Sequence, residues 1–134
     1  MSDALCDNRD IILVIDDEKM IEEMIEELVE DQGCSHVSFT DPAKALQHYK
    51  ENSERITVMI TDLTMPSISG PGLIREVLQI NPGLPIILIT GYGEEYIPHD
   101  ILSVVHCIVP KPFTKSEILD AVRTALSKVG HEHR

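Results

Sequence analysis

The chain has 134 residues, of which 43% are hydrophobic and 25% charged, and its formal net charge is -12. This length predicts a single domain with a well-buried core, because two ordinary domains need a longer chain. The acidic balance argues against a nucleic-acid partner, which would need clustered Lys and Arg. No segment has the apolar length of a membrane span or a signal peptide, so we expect a cytoplasmic chain without membrane contact of its own.

The cysteines and histidines show no arrangement typical of a metal or disulfide site. Cys6, Cys34 and Cys107 have no CxxC spacing, and the histidines form no cluster. Neither a disulfide framework nor a zinc site is indicated, and we expect reduced thiols. The histidines, His36 among them, lack metal-ligand spacing and are expected to be incidental.

The first half of the chain alternates short apolar runs with helical patterns. Residues 11–15 and 58–60 are continuous apolar runs of strand length, and residues 36–40 alternate apolar with polar side chains. Apolar residues recur at helical spacing from residue 18 until Gly33, which ends this first helix. Asp41-Pro42 then supplies an N-cap and a first-turn proline for a second helix, which extends to about residue 50.

The second half continues the alternation. A third helix begins near Gly70 and ends at residues 81–83 (NPG), and a strand at 85–90 follows it. Pro98 weakens the helical pattern of residues 93–103, and a fifth strand is predicted at 104–109. Thr114 and Glu117 form a capping box for a last helix that reaches residue 129. Five strands alternating with helices predict an α/β fold, a doubly wound parallel sheet with helices on both faces.

Charged and hydroxyl side chains follow the ends of four predicted strands. They are Asp16 and Asp17 after the first strand, Asp62 after the third, Thr90 at the end of the fourth and Lys111 after the fifth. Because the carboxyl ends of parallel strands share one edge of the sheet, we expect these residues to converge. Crowded carboxylates bind a hard cation such as Mg²⁺ or shift their pKa values. A carboxylate beside a metal, an ammonium and a hydroxyl is suited to accept a phosphoryl group.

At this point the sequence resembles the response-regulator receiver domains of two-component phosphorelay signalling. The matching motifs are Asp16-Asp17, residues 62–66 (DLTMP) with Gly70 after them, Thr90-Gly91 and residues 111–113 (KPF). The resemblance covers residues 11–129 and leaves 1–10 as an N-terminal extension and 130–134 as a C-terminal tail. It implies a flavodoxin-like five-stranded fold and a signalling domain rather than an enzyme. The amino-acid sequence of residues 62–95 most resembles receivers at the C-terminal end of hybrid sensor histidine kinases.

The resemblance also implies a metal site and a phosphoacceptor. Asp62 would accept the phosphoryl group and bind Mg²⁺, Asp17 would be a direct metal ligand, and Asp16 would act largely through water. Thr64 would give its backbone carbonyl to the metal. The implied partner is a histidine kinase or a histidine phosphotransfer domain.

Other residues would contact or flank the phosphoryl group. The resemblance gives Thr90 and Lys111 the switch and phosphate-contacting roles, and it places Tyr92 and Thr64 where they would tune dephosphorylation. Many receivers carry Tyr or Phe three residues before this lysine, where Ile108 stands here. An aromatic rotamer switch is therefore not expected.

Two alternatives stay open from the sequence. A pseudo-receiver, which keeps the fold as a phosphorylation-independent interaction module, is favoured only by Ile108 and the weak fourth helix. A phosphatase or flavin-binding protein of the same architecture is disfavoured, because no DxDx[TV] motif follows a strand and no Gly/Ser/Thr-rich loop opens the first helix.

Overall fold

The computed structural model describes residues 5–63 and 70–130. Within them, five strands pair in parallel to form one sheet of order β2-β1-β3-β4-β5. The strands are Ile11–Ile15 (β1), Ser35–Phe39 (β2), Val58–Asp62 (β3), Ile86–Thr90 (β4) and Cys107–Pro110 (β5). The predicted doubly wound parallel α/β sheet is thus confirmed.

Helices connect the strands. The α-helices are Lys19–Asp31 (α1), Pro42–Asn52 (α2), Gly70–Ile80 (α3), His99–Leu102 (α4) and Lys115–Gly130 (α5), and a 3₁₀ turn spans Glu94–Tyr96. Of the helices in the described ranges, none combines the length and the apolar character needed to cross a membrane.

The sheet separates two apolar layers, as the alternation of side chains along β1 illustrates. Leu13 and Ile15 pack with α2, α3 and α4 on one face, whereas Ile12 and Val14 pack with α1 and α5 on the other. All four side chains are buried. Because both faces are covered, the central strands are apolar up to the polar residues at their carboxyl ends.

Local capping signals fix several helix ends where the sequence predicts them. The Asp41 side chain accepts a hydrogen bond from the Ala43 amide at 2.9 Å, which caps α2. The Thr114 amide donates to Oε1 of Glu117 at 2.7 Å, and the Glu117 amide donates to Oγ1 of Thr114 at 3.2 Å, so the capping box of α5 is confirmed. Gly33, with φ of 79°, ends α1.

The region before β5 differs from the prediction. The expected helix of residues 93–103 is divided at Pro98 into the 3₁₀ turn and the four-residue α4. The amides of Val104 and Val105 donate to the Ile101 carbonyl at 3.0 and 3.1 Å, so these residues complete the turn after α4. The strand therefore begins at Cys107, and its prediction from residue 104 was wrong.

The prediction of reduced thiols was also wrong for two cysteines. Cys6 and Cys34 form a disulfide, and Cys107 is free. The pair forms because the N-terminal segment folds back along the end of α1, where the Leu5 amide donates to the Gln32 carbonyl at 3.0 Å. Both bonded cysteines are buried, with the side chains that α1 and α5 cover.

His36 makes a contact that the sequence did not indicate. Its Nε2 lies 2.6 Å from Oε2 of Glu30, and Glu26 also offers a carboxylate oxygen within 4.8 Å. This contact forms because the edge strand β2 runs beside α1, which no spacing in the sequence indicates.

Candidate functional site

The predicted site residues come together at the carboxyl edge of the sheet. Asp16 directly follows β1, Asp62 and Thr90 are the last residues of β3 and β4, and Lys111 directly follows β5. The Lys111 amide donates to the Thr90 carbonyl at 2.8 Å, which joins the ends of β4 and β5. The peptide bond between Lys111 and Pro112 is cis. The topology therefore places these side chains around one point, as expected for parallel strands.

Three carboxylates form the acidic part of the site. Asp16, Asp17 and Asp62 each offer an oxygen, and these oxygens all lie within 4.8 Å of one another. Asp16 and Asp62 are buried, whereas Asp17 is exposed. Oδ1 of Asp16 accepts a hydrogen bond from the Glu18 amide at 2.9 Å, but its buried Oδ2 accepts none.

Lys111 supplies the positive charge of the site. Its Nζ donates to Oε1 of Glu18 at 3.0 Å and to Oδ2 of Asp62 at 3.2 Å. Nζ also lies 3.5 Å from Oδ2 of Asp16, which makes an ion pair without a hydrogen bond. One ammonium therefore serves three carboxylates.

The pKa values of Asp16 and Lys111 are both raised in this site. The pKa of Asp16 is raised to about 6, chiefly by burial and also by the Asp62 charge, against the opposing effects of the Glu18 amide and Lys111. Burial by itself lowers the pKa of Lys111, but the hydrogen bond to Glu18 and the Asp16 and Asp62 charges outweigh it. The net pKa of Lys111 is raised, so its ammonium stays charged.

The donor set suits a small divalent cation. Its members are carboxylate oxygens, which Mg²⁺ prefers, and the buried Oδ2 of Asp16 has no hydrogen-bond donor. The exposed Asp17 leaves one side open to solvent, and Mg²⁺ retains water ligands. The residues therefore fit such an ion. Thr64, the predicted carbonyl ligand, lies outside the described residues.

A cleft of about 400 Å³ opens beside these acids. It is lined by Asp17, Glu18, Asp62, Gly91, Tyr92 and Lys111. Next to it the hydroxyl of Thr90, 2% exposed, accepts a hydrogen bond from the Tyr92 amide at 3.0 Å. The Tyr92 ring is exposed and lies 5.7 Å from the Tyr96 ring, measured between centroids.

Glu18 belongs to this site, although the sequence analysis did not select it. Its position directly after Asp16-Asp17 was the available signal. A glutamate beginning a helix is usually a favourable partner of the helix dipole, so the signal was weak. Its contact with Lys111 depends on the tertiary fold.

A parallel sheet of this strand order, with acids and a lysine at its carboxyl edge, defines the receiver class of signalling domains. The family model described as the response regulator receiver domain matches residues 12–123, and the chain belongs to this family. A receiver domain structure from Clostridium thermocellum superposes with a TM-score of 0.82 at 31% identity, covering 89% of this chain and 95% of that one.

Two of the curated relatives of this chain are regulatory proteins. The response regulator TodT of Pseudomonas putida is 30% identical over 125 residues, which are 91% of this chain and 53% of that protein. DctD of Rhizobium meliloti, a C4-dicarboxylate transport transcriptional regulatory protein, is 28% identical over 120 residues, or 87% of this chain and 25% of that protein. The chain thus spans between a quarter and about half of the length of these relatives.

Proposed function

We propose that this receiver domain accepts a phosphoryl group on Asp62, with Mg²⁺, from a phosphohistidine of a histidine kinase or a histidine phosphotransfer domain. The observation that carries the proposal is the position of Asp62. Its Oδ2 lies 3.2 Å from Nζ of Lys111, and the carboxylates of Asp16 and Asp17 lie beside it. A nucleophile, a cation and a hard-metal donor set therefore share one cleft.

The transfer is a displacement at phosphorus. An oxygen of Asp62 forms a bond to phosphorus while the bond from phosphorus to the donor's imidazole nitrogen breaks, and the electron pair stays on that nitrogen. Asp16, Asp17 and Asp62 would hold Mg²⁺, which supplies positive charge to the phosphoryl oxygens. The Lys111 ammonium, directly after β5, provides a second positive charge.

Thr90 links the phosphoryl group to a conformational change. Its hydroxyl now accepts from the Tyr92 amide. When Thr90 donates a hydrogen bond to a phosphoryl oxygen, its hydroxyl moves toward Asp62. This movement alters the hydrogen bond that the Tyr92 amide donates to it. The segment carrying Tyr92 and Tyr96 then takes a second position, which makes the domain a two-state switch. Self-phosphorylation and autodephosphorylation are the only chemistry this proposal includes.

We infer that this receiver originates in a hybrid sensor kinase, although regulators also match it. Support comes from the amino-acid sequence of residues 62–95. It also comes from the similarity of the chain to the sensor kinase CckA of Brucella abortus, which is 23% identical over 118 residues. The division into an extension (1–10), a receiver (11–129) and a tail (130–134), and a cytoplasmic location, are proposed with it. Detection of the native protein by size in cell extracts distinguishes a hybrid kinase from a shorter regulator.

A pseudo-receiver is the second candidate. Two observations favour it: Ile108 stands three residues before Lys111, where many receivers have an aromatic residue, and α4 has only four residues. Such a domain would bind its partner without phosphorylation.

Intact-mass spectrometry after incubation with acetyl phosphate, with and without Mg²⁺, separates the two candidates. We expect the native chain and the matched Asp120→Asn variant, altered at an exposed residue of α5, to gain one phosphoryl group only with Mg²⁺. Asp62→Asn should gain none. If the native chain gains no phosphoryl group and also fails to bind fluoroberyllate with Mg²⁺, the phosphoacceptor proposal is wrong and the pseudo-receiver is favoured.

A further inference from the structure

The Glu18 side chain is directed to Lys111 instead of to its own helix. Glu18 occupies the N-cap position of α1, yet its side chain makes no capping hydrogen bond. The neighbouring Asp16 carboxylate accepts the Glu18 amide, and Oε1 of Glu18 accepts from Nζ of Lys111 at 3.0 Å. This is the shortest of the contacts between Lys111 and a carboxylate at the site.

An ammonium has three N–H groups, and two of them are donated to carboxylates of the site. Glu18 and Asp62 accept these hydrogen bonds from Nζ, and Asp16 forms an ion pair with Nζ at 3.5 Å. A phosphoryl oxygen that approaches Lys111 therefore competes with these carboxylates for the ammonium.

Glu18 differs from the other two carboxylates in its relation to the acidic cluster. Asp16 and Asp62 belong to the donor set described above, whereas Glu18 does not. A cation bound by Asp16 and Asp62 weakens their attraction for the ammonium, and Glu18 keeps its full charge. The ion pair between Glu18 and Lys111 would therefore persist when Asp16 and Asp62 also bind a metal.

We propose that Glu18 is a positioning residue that restrains Lys111 before phosphorylation and thereby slows phosphoryl transfer to Asp62. Glu18 lines the cleft that the incoming phosphoryl oxygens enter, and it competes with them for the ammonium. This inference rests on the proposed function, because it concerns the rate of that reaction.

The expected size of the effect follows from the exposure of the pair. The Glu18 side chain is 62% exposed and that of Lys111 is 19% exposed. Ion pairs with one exposed partner contribute little, so removing this one should accelerate transfer roughly 2- to 5-fold.

Three variants separate contact from charge. Glu18→Gln removes the charge and the ion pair, whereas Glu18→Asp keeps the charge but withdraws the carboxylate from Nζ. Glu23→Gln is the matched control, because Glu23 is also exposed on α1 and lies near Lys19 instead of Lys111.

The phosphorylation rate constant with acetyl phosphate at saturating Mg²⁺ is measured for each variant by intact mass over time. We expect Glu18→Gln and Glu18→Asp both to react about 2- to 5-fold faster than the native chain, and Glu23→Gln to match it. An unchanged rate in Glu18→Gln overturns the proposal. So does equal acceleration by Glu23→Gln, or a native rate in Glu18→Asp, since either result assigns the effect to charge alone.

A second readout does not depend on phosphorylation. In metal-free and phosphate-free protein, NMR of the lysine side-chain nitrogens should show that the Lys111 ammonium exchanges its protons more slowly in the native chain than in Glu18→Gln. Equal exchange in both proteins overturns the restraint itself. Failure of the native chain to accept any phosphoryl group overturns the proposed function, while this measurement still decides whether Glu18 holds Lys111.

Discussion

Nζ of Lys111 lies 3.5 Å from the buried Oδ2 of Asp16, which belongs to the acidic cluster that would hold a divalent cation. A cation bound by this cluster would be a near neighbour of the ammonium. The two positive charges would repel each other, so each would weaken the binding of the other.

Replacing Lys111 with Met should therefore strengthen Mg²⁺ binding about 3- to 10-fold, or about 0.7–1.4 kcal/mol. Isothermal titration calorimetry on metal-free protein measures the change. Lys115→Met, which removes an equal charge from an exposed residue at the start of α5, is the control and should bind Mg²⁺ as the native chain does. Equal affinities in the two variants would contradict a direct competition between Lys111 and the metal.

Gly70 is required where α3 begins next to Asp62. A Cβ at this position would overlap the backbone oxygens of Leu63 and Asp62 and the Cα of Leu63, and backbone atoms shift only at a cost. Gly70→Ala should lower the free energy of unfolding by about 2 kcal/mol or more, because the overlap forces the backbone next to Asp62 to shift.

Gly83→Ala is the matched control for Gly70→Ala. The nearest atom to its added Cβ is Oδ1 of Asn81 at 3.6 Å, an ordinary van der Waals contact. Urea unfolding of both variants gives the comparison. A Gly70→Ala variant as stable as Gly83→Ala would show that the backbone near Leu63 relaxes without cost.

The Cys6–Cys34 disulfide should stabilise the fold. It closes a loop of 28 residues, for which the chain-entropy model gives about 3–4 kcal/mol. Reduction, or Cys34→Ser, should lower the melting temperature by about 10 °C. Alkylation of the denatured but unreduced protein should label Cys107 alone.

The control for this prediction is Cys107→Ser, at a half-buried thiol outside the disulfide. Adding reductant should lower the melting temperature of Cys107→Ser by as much as that of the native chain, because this variant retains the Cys6–Cys34 disulfide. A native chain that alkylates at all of its cysteines without reduction would disprove the bond.

Glu22 should make stability depend on pH. Its side chain is 3% exposed, and burial raises the pKa of this carboxyl, with a weaker opposing effect from Lys19 and a further increase from Glu26. Between its ordinary and its raised pKa the folded state binds more protons than the unfolded state. The free energy of unfolding therefore falls as pH rises through that range.

Glu22→Gln removes this titration. At about pH 4, below its raised pKa, the buried carboxyl is mostly neutral in the folded state, so the variant and the native chain should have similar stability. At about pH 8 the variant should be more stable by about 1 kcal/mol, because no buried charge remains. Thermal unfolding at both values measures this, with the exposed Glu23→Gln as control. A Glu22→Gln variant less stable than the native chain at the higher pH would mean that the Lys19 ion pair outweighs burial.

Interactions local in sequence were predictable here, and those that depend on the fold were not. The Asp41 cap of α2 and the Thr114 and Glu117 capping box involve residues within one helical turn, and both are present. The strand-end residues also converge as expected, because parallel topology alone brings them to one edge.

The errors arose where distant segments meet. The contacts of Cys6 with Cys34 and of Glu18 with Lys111 join segments far apart in the chain, and no spacing rule connects them. The late start of β5 has a different cause. Val104 and Val105 favour a strand intrinsically, but their amides complete the turn after α4.

Tyr92 should control how long the phosphoryl group persists. Tyr92 lines the cleft beside Asp62, and its ring lies 5.7 Å from the Tyr96 ring, measured between centroids. Hydrolysis of the phosphorylated carboxylate requires water to approach phosphorus in line, and a large side chain at the mouth of the cleft hinders that approach. Tyr92→Ala should therefore lose its phosphoryl group several-fold faster, on the order of 1 kcal/mol in the barrier.

The decay is measured by intact mass after removal of the phosphoryl donor, with Mg²⁺ present. Tyr96→Ala is the control because Tyr96 is similarly exposed but does not line the cleft. Equal decay in Tyr92→Ala and the native chain would show that water reaches the phosphoryl group by another route. Faster decay in both tyrosine variants would instead indicate that the ring pair acts as a unit, with Tyr96 holding Tyr92 over the site.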